Sequence, residues 1–280
     1  MKKTVISGLA LCLAALCHAE LPAVQSVEKV NLPADMAVSM AKISPNGDYA
    51  VISPLSGNGL MRLDLTNGRI SDISRTASPL SVEISADGKD VIYREASYDN
   101  DHRRFVTLKS FNTENGESKT LINRTRSMRK VKADYAGRAS LSIEYGKLYV
   151  STPEGKTYEI SPLGKECNSY LWATLSPDGT KVLAFGVGTG SFVCDLDGKN
   201  VKVLGMYRAP QWLDNETVVA MDDYDNGFVT VKSTIMALSA DGKEKAALTG
   251  DDVVAVFPTP AIGKVAFTTP GGEMYIINLK

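Results

Sequence analysis

The sequence predicts an all-β chain folded as a six-bladed β-propeller, with blades of four antiparallel strands and the ring closed by the N-terminal strand. Three observations carry this. A turn phrase returns between apolar runs: Ser44-Pro45-Asn46-Gly47, Ser85-Ala86-Asp87-Gly88 and Ser176-Pro177-Asp178-Gly179. A second phrase follows each hairpin, as Leu63-Asp64-Leu65-Thr66-Asn67-Gly68, Phe111 to Gly116, Cys194-Asp195-Leu196-Asp197-Gly198 and Leu238 to Gly242. The first two serines stand 41 positions apart and the third 91 further on, which leaves room for one degenerate copy between them. The period is therefore one supersecondary unit of about 40 to 50 residues.

Turn chemistry explains the recurrence. Proline presets φ for the second position of a tight turn, Asp or Asn bonds its own backbone, and glycine takes positive φ without steric cost. The flanking runs, such as Tyr49-Ala50-Val51-Ile52 and Lys181 to Phe185, are short and rich in β-branched and aromatic residues, as strands are. Two hairpins per period give four strands, A to D, and such units set around an axis form a propeller.

In chain order, blade one has strand A near 36–43, B near 49–53, C near 60–65 and D near 69–73. Blade two runs from Pro79 to Ile122, with a long polar B to C connection from Glu95 to Arg104. Blade three is the degenerate copy, turning at Ala133 to Gly137, Tyr145-Gly146 and Pro153-Glu154-Gly155. Blade four spans Tyr170 to Leu204, with Gly188 to Phe192 as its B to C turn. Blade five spans Tyr207 to Leu248 and extends its B to C loop through Asp222 to Gly227. Blade six, from Val253, reaches only a third strand at Tyr275 to Leu279, while a spare alternating segment, Val24 to Val30, precedes blade one. That segment is expected to supply the missing outer strand, since an unpaired edge would otherwise stay exposed.

Residues 1–19 read as a signal peptide: Lys2-Lys3, an apolar stretch from Val5 to Cys17, then Cys17-His18-Ala19 with cleavage after Ala19. The run is too short to span a bilayer. Acylation at Cys17 is the less favoured alternative, because Leu16 stands where a small residue is wanted. Residues 20–280 then form a single propeller domain, periplasmic or secreted, with no transmembrane segment. Without the leader, 29 basic residues face 32 acidic ones, a balance that argues against nucleic acid as partner. The pairing of Cys167 and Cys194 stays open; their places before strand A and late in strand C put them toward opposite ends of one blade.

Hairpins built on Ser-Pro-Asp-Gly, each followed by a strand ending in Asp-Leu and a Gly turn, resemble the six-bladed propellers of the TolB type, also found beside the hydrolase domain of prolyl oligopeptidase and dipeptidyl peptidase enzymes. The resemblance covers nearly all of residues 20–280 but carries neither the hydrolase domain nor TolB's additional N-terminal domain. It implies a periplasmic or exported binding or scaffolding protein.

The chemistry of catalysis is thin. His102 is the one histidine beyond the leader, no Gly-x-Ser-x-Gly elbow or phosphate loop occurs, and Ser176 to Lys181 departs from the sialidase Asp box. No catalytic residue, metal or cofactor is assigned. Asp222, Asp223, Asp225 and Asn226 offer oxygen ligands without the spacing of a calcium loop.

The sharper expectation concerns one face. B to C loops and D to A connections leave a propeller on the same side, which gathers Tyr98, Asp99, Arg103 and Arg104 of blade two with Arg124, Arg126 and Arg129 of the next connection. Arg208, Tyr224 and Asp225 of blade five share that side, and Trp172, on or beside strand A of blade four, either lines the central mouth or, as an inner-strand Trp more often does, belongs to the core. Arginine and tyrosine supply bidentate donors and rigid contact area, the composition of binding hot spots. The leading expectation is a non-catalytic binding or scaffolding propeller that engages a protein or peptide segment, or an acidic ligand, with glycan possible. The alternative is a carbohydrate-active hydrolase or lyase using carboxylates at the channel mouth.

Overall fold

A computed structural model describes residues 20–55, 57–77, 82–126 and 139–280. Blade one comprises β2 (Val38–Ile43), β3 (Tyr49–Pro54), β4 (Leu60–Asp64) and β5 (Ile70–Ser74), paired in that order, after β1 (Val24–Lys29). Blade two comprises β6 (Glu83–Ile84), β7 (Asp90–Tyr98), β8 (Arg104–Asn112) and β9 (Ser118–Thr125). Blade three presents three strands among the described residues: β10 (Ser140–Glu144), β11 (Lys147–Ser151) and β12 (Thr157–Ile160). These are its B, C and D strands, and the expected turn at Ala133 to Gly137 lies outside the described residues. Blade four holds β13 (Tyr170–Leu175), β14 (Lys181–Gly186), β15 (Gly190–Asp195) and β16 (Lys202–Gly205). Blade five holds β17 (Arg208–Trp212), β18 (Thr217–Asp225), β19 (Thr230–Ser239) and β20 (Lys245–Ala247).

The last sheet runs β1, β23 (Met274–Leu279), β22 (Lys264–Thr268), β21 (Val256–Ala261). The N-terminal strand is thus the outer strand of blade six, as expected. Its register pairs Val27 with Ile277 and Glu28 with Ile276, and the ladder is bounded by Lys280 N–H to Ala23 O at 2.9 Å and Val30 N–H to Met274 O at 2.8 Å. Chain ends 250 residues apart are therefore held in one sheet, where the Asn278 amide donates to both Ser26 and Glu28.

The recurrent turn works as its sequence suggests, with the serine more deeply used than the proline. Ser176 Oγ donates to Asp178 Oδ1 at 2.6 Å and accepts from Thr180 N–H and Lys181 N–H, so one buried hydroxyl satisfies the open end of the hairpin. Ser85 and Ser239 likewise donate to the aspartate two residues on and accept from an N–H beyond the turn, while Ser44, followed by Asn46, donates to Asp48 instead and accepts from the Tyr49 N–H. The turns also join blades. Tyr49 Oη donates to Gly88 O at 2.8 Å, and the Lys181 ammonium reaches Asn215 O and Glu216 of the next blade. Lys264 Nζ does the same across the closure, donating to Gly47 O at 3.2 Å.

Among the described residues, apolar side chains fill five of the wedges between blades. Separate clusters lie between blades six and one (Val38, Ile52, Met274), one and two (Val51, Leu60, Tyr93), three and four (Leu148, Phe192), four and five (Leu183, Val218) and five and six (Ile235, Phe267, Ile277). Cys167 and Cys194 are free thiols; Cys167 Sγ donates to Ser169 O, and burial pushes the Cys194 thiol up to about 12.

Because β1 covers Ile276 and Ile277, deletion of residues 20–31 should lower the melting temperature by about 10 °C or more, read by circular dichroism. Unchanged melting would contradict the closure. Acid should also unfold the protein through its turns. The Ser239 hydroxyl, the Lys243 ammonium and the Lys243 N–H hold Asp241 well below the usual carboxylate range, and Asp64, Asp87, Asp178 and Asp197 are held down likewise. A depressed folded value means the stabilisation is present above the unfolded value, about pH 4, and is lost as pH falls further. Asp241→Asn should therefore lose less stability than the parent between about pH 5 and pH 2, measured by urea unfolding; equal losses would contradict it.

Candidate functional site: two raised ribbons on one face

Among the described residues, the A to B and C to D turns leave the ring on one side, and the B to C loops and D to A connections on the other. On this second, loop-rich side the blades are unequal. Most B and C strands are five or six residues long, whereas β7 and β8 each have nine, β18 has nine and β19 ten. Three extra residues at about 3.3 Å each raise these hairpins about 10 Å above their neighbours. The connections Glu95 to Arg104 and Asp222 to Gly227, expected as long loops, are thus ordered two-stranded ribbons with short tips; the polar composition belongs to hairpins that rise into solvent, not to irregular backbone. Blades two and five stand half a turn apart, so the ribbons flank the central mouth.

The blade-two ribbon is anchored at its base and basic at its tip. Glu95 accepts from Ser74 Oγ of blade one at 2.8 Å and pairs with Lys109 across the ribbon at 2.6 Å. Burial raises the Glu95 carboxyl, but the Lys109 and Ser74 bonds outweigh it and leave it below its ordinary value. At the tip, Asp99 Oδ1 accepts from the N–H groups of Asp101 and Arg103, His102 takes positive φ, and the Arg103 guanidinium meets Asp101 at 2.6 Å. Asp99 is a turn-former here. Tyr98, exposed, pairs across the ribbon with Arg104, and the Arg124 guanidinium lies 4.3 Å from the Phe105 ring centre. Arg126 is exposed beside them, and Arg129 lies outside the described residues. Four arginines, Arg103, Arg104, Arg124 and Arg126, face two aspartates there.

The blade-five ribbon is acidic at its base and apolar at its tip. Arg208, on the inner strand, hydrogen-bonds Asp225 Oδ2 at 3.1 Å and stands 3.2 Å from Asp223 Oδ2. The guanidinium occupies the place among these carboxylates that a metal cation would take; among the described residues no group of acids, histidines or cysteines is arranged to hold a metal. Asp225 Oδ1 and Asn226 Oδ1 accept from the N–H groups of Gly227, Phe228 and Val229, shaping a tip that leaves Phe228 94% exposed. Tyr224 is exposed beside it.

Sequence reasoning missed the tip aromatic and a second one. Each inner strand of blades one, four, five and six is bulged near its start on the loop-rich side, at Ser39, Leu171, Ala209 and Phe257. Bulges re-aim side chains. Phe257 takes φ of 55° and is 57% exposed, with its N–H directed at Met221 Sδ. The available signals were Asn226-Gly227 followed by an aromatic, and Phe257 directly before Pro258. Trp172, by contrast, packs half-buried against the cluster between blades four and five, among Leu183, Trp212 and Val218, and is a wedge residue. The expected residues that are described therefore form two groups on opposite sides of the mouth, with Trp172 in neither.

No protein-family model and no curated protein matches the chain. Solved structures do. A structure assigned to TolB from Agrobacterium tumefaciens aligns with a TM-score of 0.55 at 15% identity, over 88% of this chain and 91% of that one. The tricorn protease aligns at 0.50 and 18% identity over 87% of this chain, which spans only 25% of the protease. The β-propeller domain of Cps50 (Swd1) from Myceliophteria thermophila aligns at 0.50 and 11% identity, over 91% and 100%. At such identities the likeness is one of architecture, and the strand order, the closure and these alignments agree that the chain has the TolB-like six-bladed β-propeller fold.

Proposed function

We propose that the protein is an exported, non-catalytic binding propeller that holds an extended polypeptide segment across its loop-rich face, between the ribbons of blades two and five. One observation carries the reading. At blade five the B and C strands outrun their inner neighbour: β17 meets β18 only as far as Met221. The upper inner edge of the blade-five ribbon thus has no ladder partner among the described residues. Such edges pair readily with a further extended strand, through main-chain bonds that a glycan cannot reproduce. The exposed Tyr98, Tyr224 and Phe228 add rigid contact area beside them.

Export rests on the pattern of residues 1–19, and among the described residues no helix is long and apolar enough to cross a membrane.

Photo-crosslinking residues placed at Tyr98 and Tyr224 should yield polypeptide adducts in the native compartment, whereas the same residue at Asn115 or Lys199, on the turn side, should not. Adducts confined to the turn side, or absent from the ribbons, would overturn the reading.

A further inference from the structure

Beneath the acidic base of the blade-five ribbon two oxygens are left over. Asp223 and Ser233 are direct cross-strand partners on β18 and β19. The Asp223 side chain is 2% exposed and Ser233 is 2% exposed, and neither Asp223 Oδ2 nor Ser233 Oγ has a hydrogen-bond partner among the described residues. Directly opposed residues hold their Cβ atoms about 5 Å apart, so the two side chains are neighbours on one face of the ribbon. They lie just under the rim: Met221, one step inward on the same strand face, is buried, and Asp225, one step outward, is 36% exposed at its side chain.

Arg208 does not fill this need. Its guanidinium stands within ion-pairing range of Asp223 but is aligned for a bond only to Asp225. Desolvation still raises the Asp223 carboxyl, against the pull of Arg208. Leaving a buried acceptor unbonded is costly, and more so for a charged one, so such a group signals an absent donor. The surroundings fix its charge. Asp225 and the adjacent Asp222 add negative charge to that of Asp223, against the one guanidinium of Arg208 that Asp223 and Asp225 share.

Resting on the reading above, we infer that the Asp223–Ser233 pair is a subsite for the side-chain ammonium of a lysine in the bound segment, beside an apolar residue held by Phe228 and Phe257. An ammonium is compact and carries three donors, which suits two oxygens on adjacent strands and a third contact at the rim. A planar guanidinium needs a wider fork. The opposite ribbon, with its four arginines, gives the face two signs of charge, so the segment lies in one direction: lysine over blade five, acidic residues over blade two.

The test uses blocked phenylalanyl-lysine amide and its Nε-acetyl counterpart, titrated into the protein at low salt and followed by calorimetry. The lysine form should bind about tenfold or more tightly than the acetylated one, the margin expected of a charge-assisted bond in a desolvated site. Asp223→Asn and Ser233→Ala should each reduce the preference to about twofold, while Asp222→Asn, which removes the same charge from the outward face of the strand, should keep it. Equal binding of the two peptides, no binding of either, or a preference that falls equally in the Asp222 variant would overturn the inference; the first is the outcome expected if a single water bridges the oxygens. Ribbon adducts at Tyr98 and Tyr224 without a lysine preference would sink this subsite alone, whereas adducts on the turn side would sink the broader reading.

Discussion

The structure depends on one pairing, that of the first described strand with the last. Each blade is a small twisted sheet with apolar residues on both faces, and neither face is covered until a neighbour stands on each side. A row of such blades would leave two apolar sheet faces bare at its ends; a ring leaves none. The β1–β23 ladder converts the row into a ring, and the blade-six to blade-one wedge, where Met274 packs with Val38 and Ile52, forms only if it holds. Lys264 reaching Gly47, and Lys29 pairing with Glu273, tie the same seam at its two faces.

Closure also decides what can be a site. The turn side is tightly specified: its serines, aspartates and glycines are spent on hairpin geometry and on bonds to the next blade. The loop-rich side carries no such obligation, and there strand lengths vary and inner strands bulge. Departures from regularity gather at the side that a rigid ring can present to a partner. Phe257 and Ala209, both at positive φ without being glycine, belong to that pattern, since a ring held elsewhere can carry local strain.

Much of this architecture was legible because turn chemistry is local. Ser-Pro-Asp-Gly and Asp-Leu-x-x-Gly phrases fix hairpin ends within a residue or two, so β3, β4 and β14 begin and end almost where their sequences place them. The closing strand was readable by subtraction, from a blade one strand short and a spare alternating segment. The ribbons were not, because Ser97, Asp99, Asp222 and Asp225 are polar on both faces when a hairpin stands free in solvent, and polarity without periodicity reads as loop. Trp172 illustrates the opposite limit: its type suits a mouth or a wedge equally, and the bulge at Leu171 sends it into the wedge. The orphaned Asp223 and Ser233 oxygens could not be seen at all, since burial of a polar group is a property of the neighbouring blade.

The ring closure is tested most directly by native-state amide hydrogen exchange at its two ends, the Val30 and Lys280 N–H groups, which donate to Met274 and Ala23. If the seam is part of the cooperative structure, both amides should exchange only as slowly as global unfolding allows, matching Val51 and Val182 in the interior sheets. Free exchange at Val30 and Lys280, with Val51 and Val182 protected, would mean an open row of blades and contradict the account.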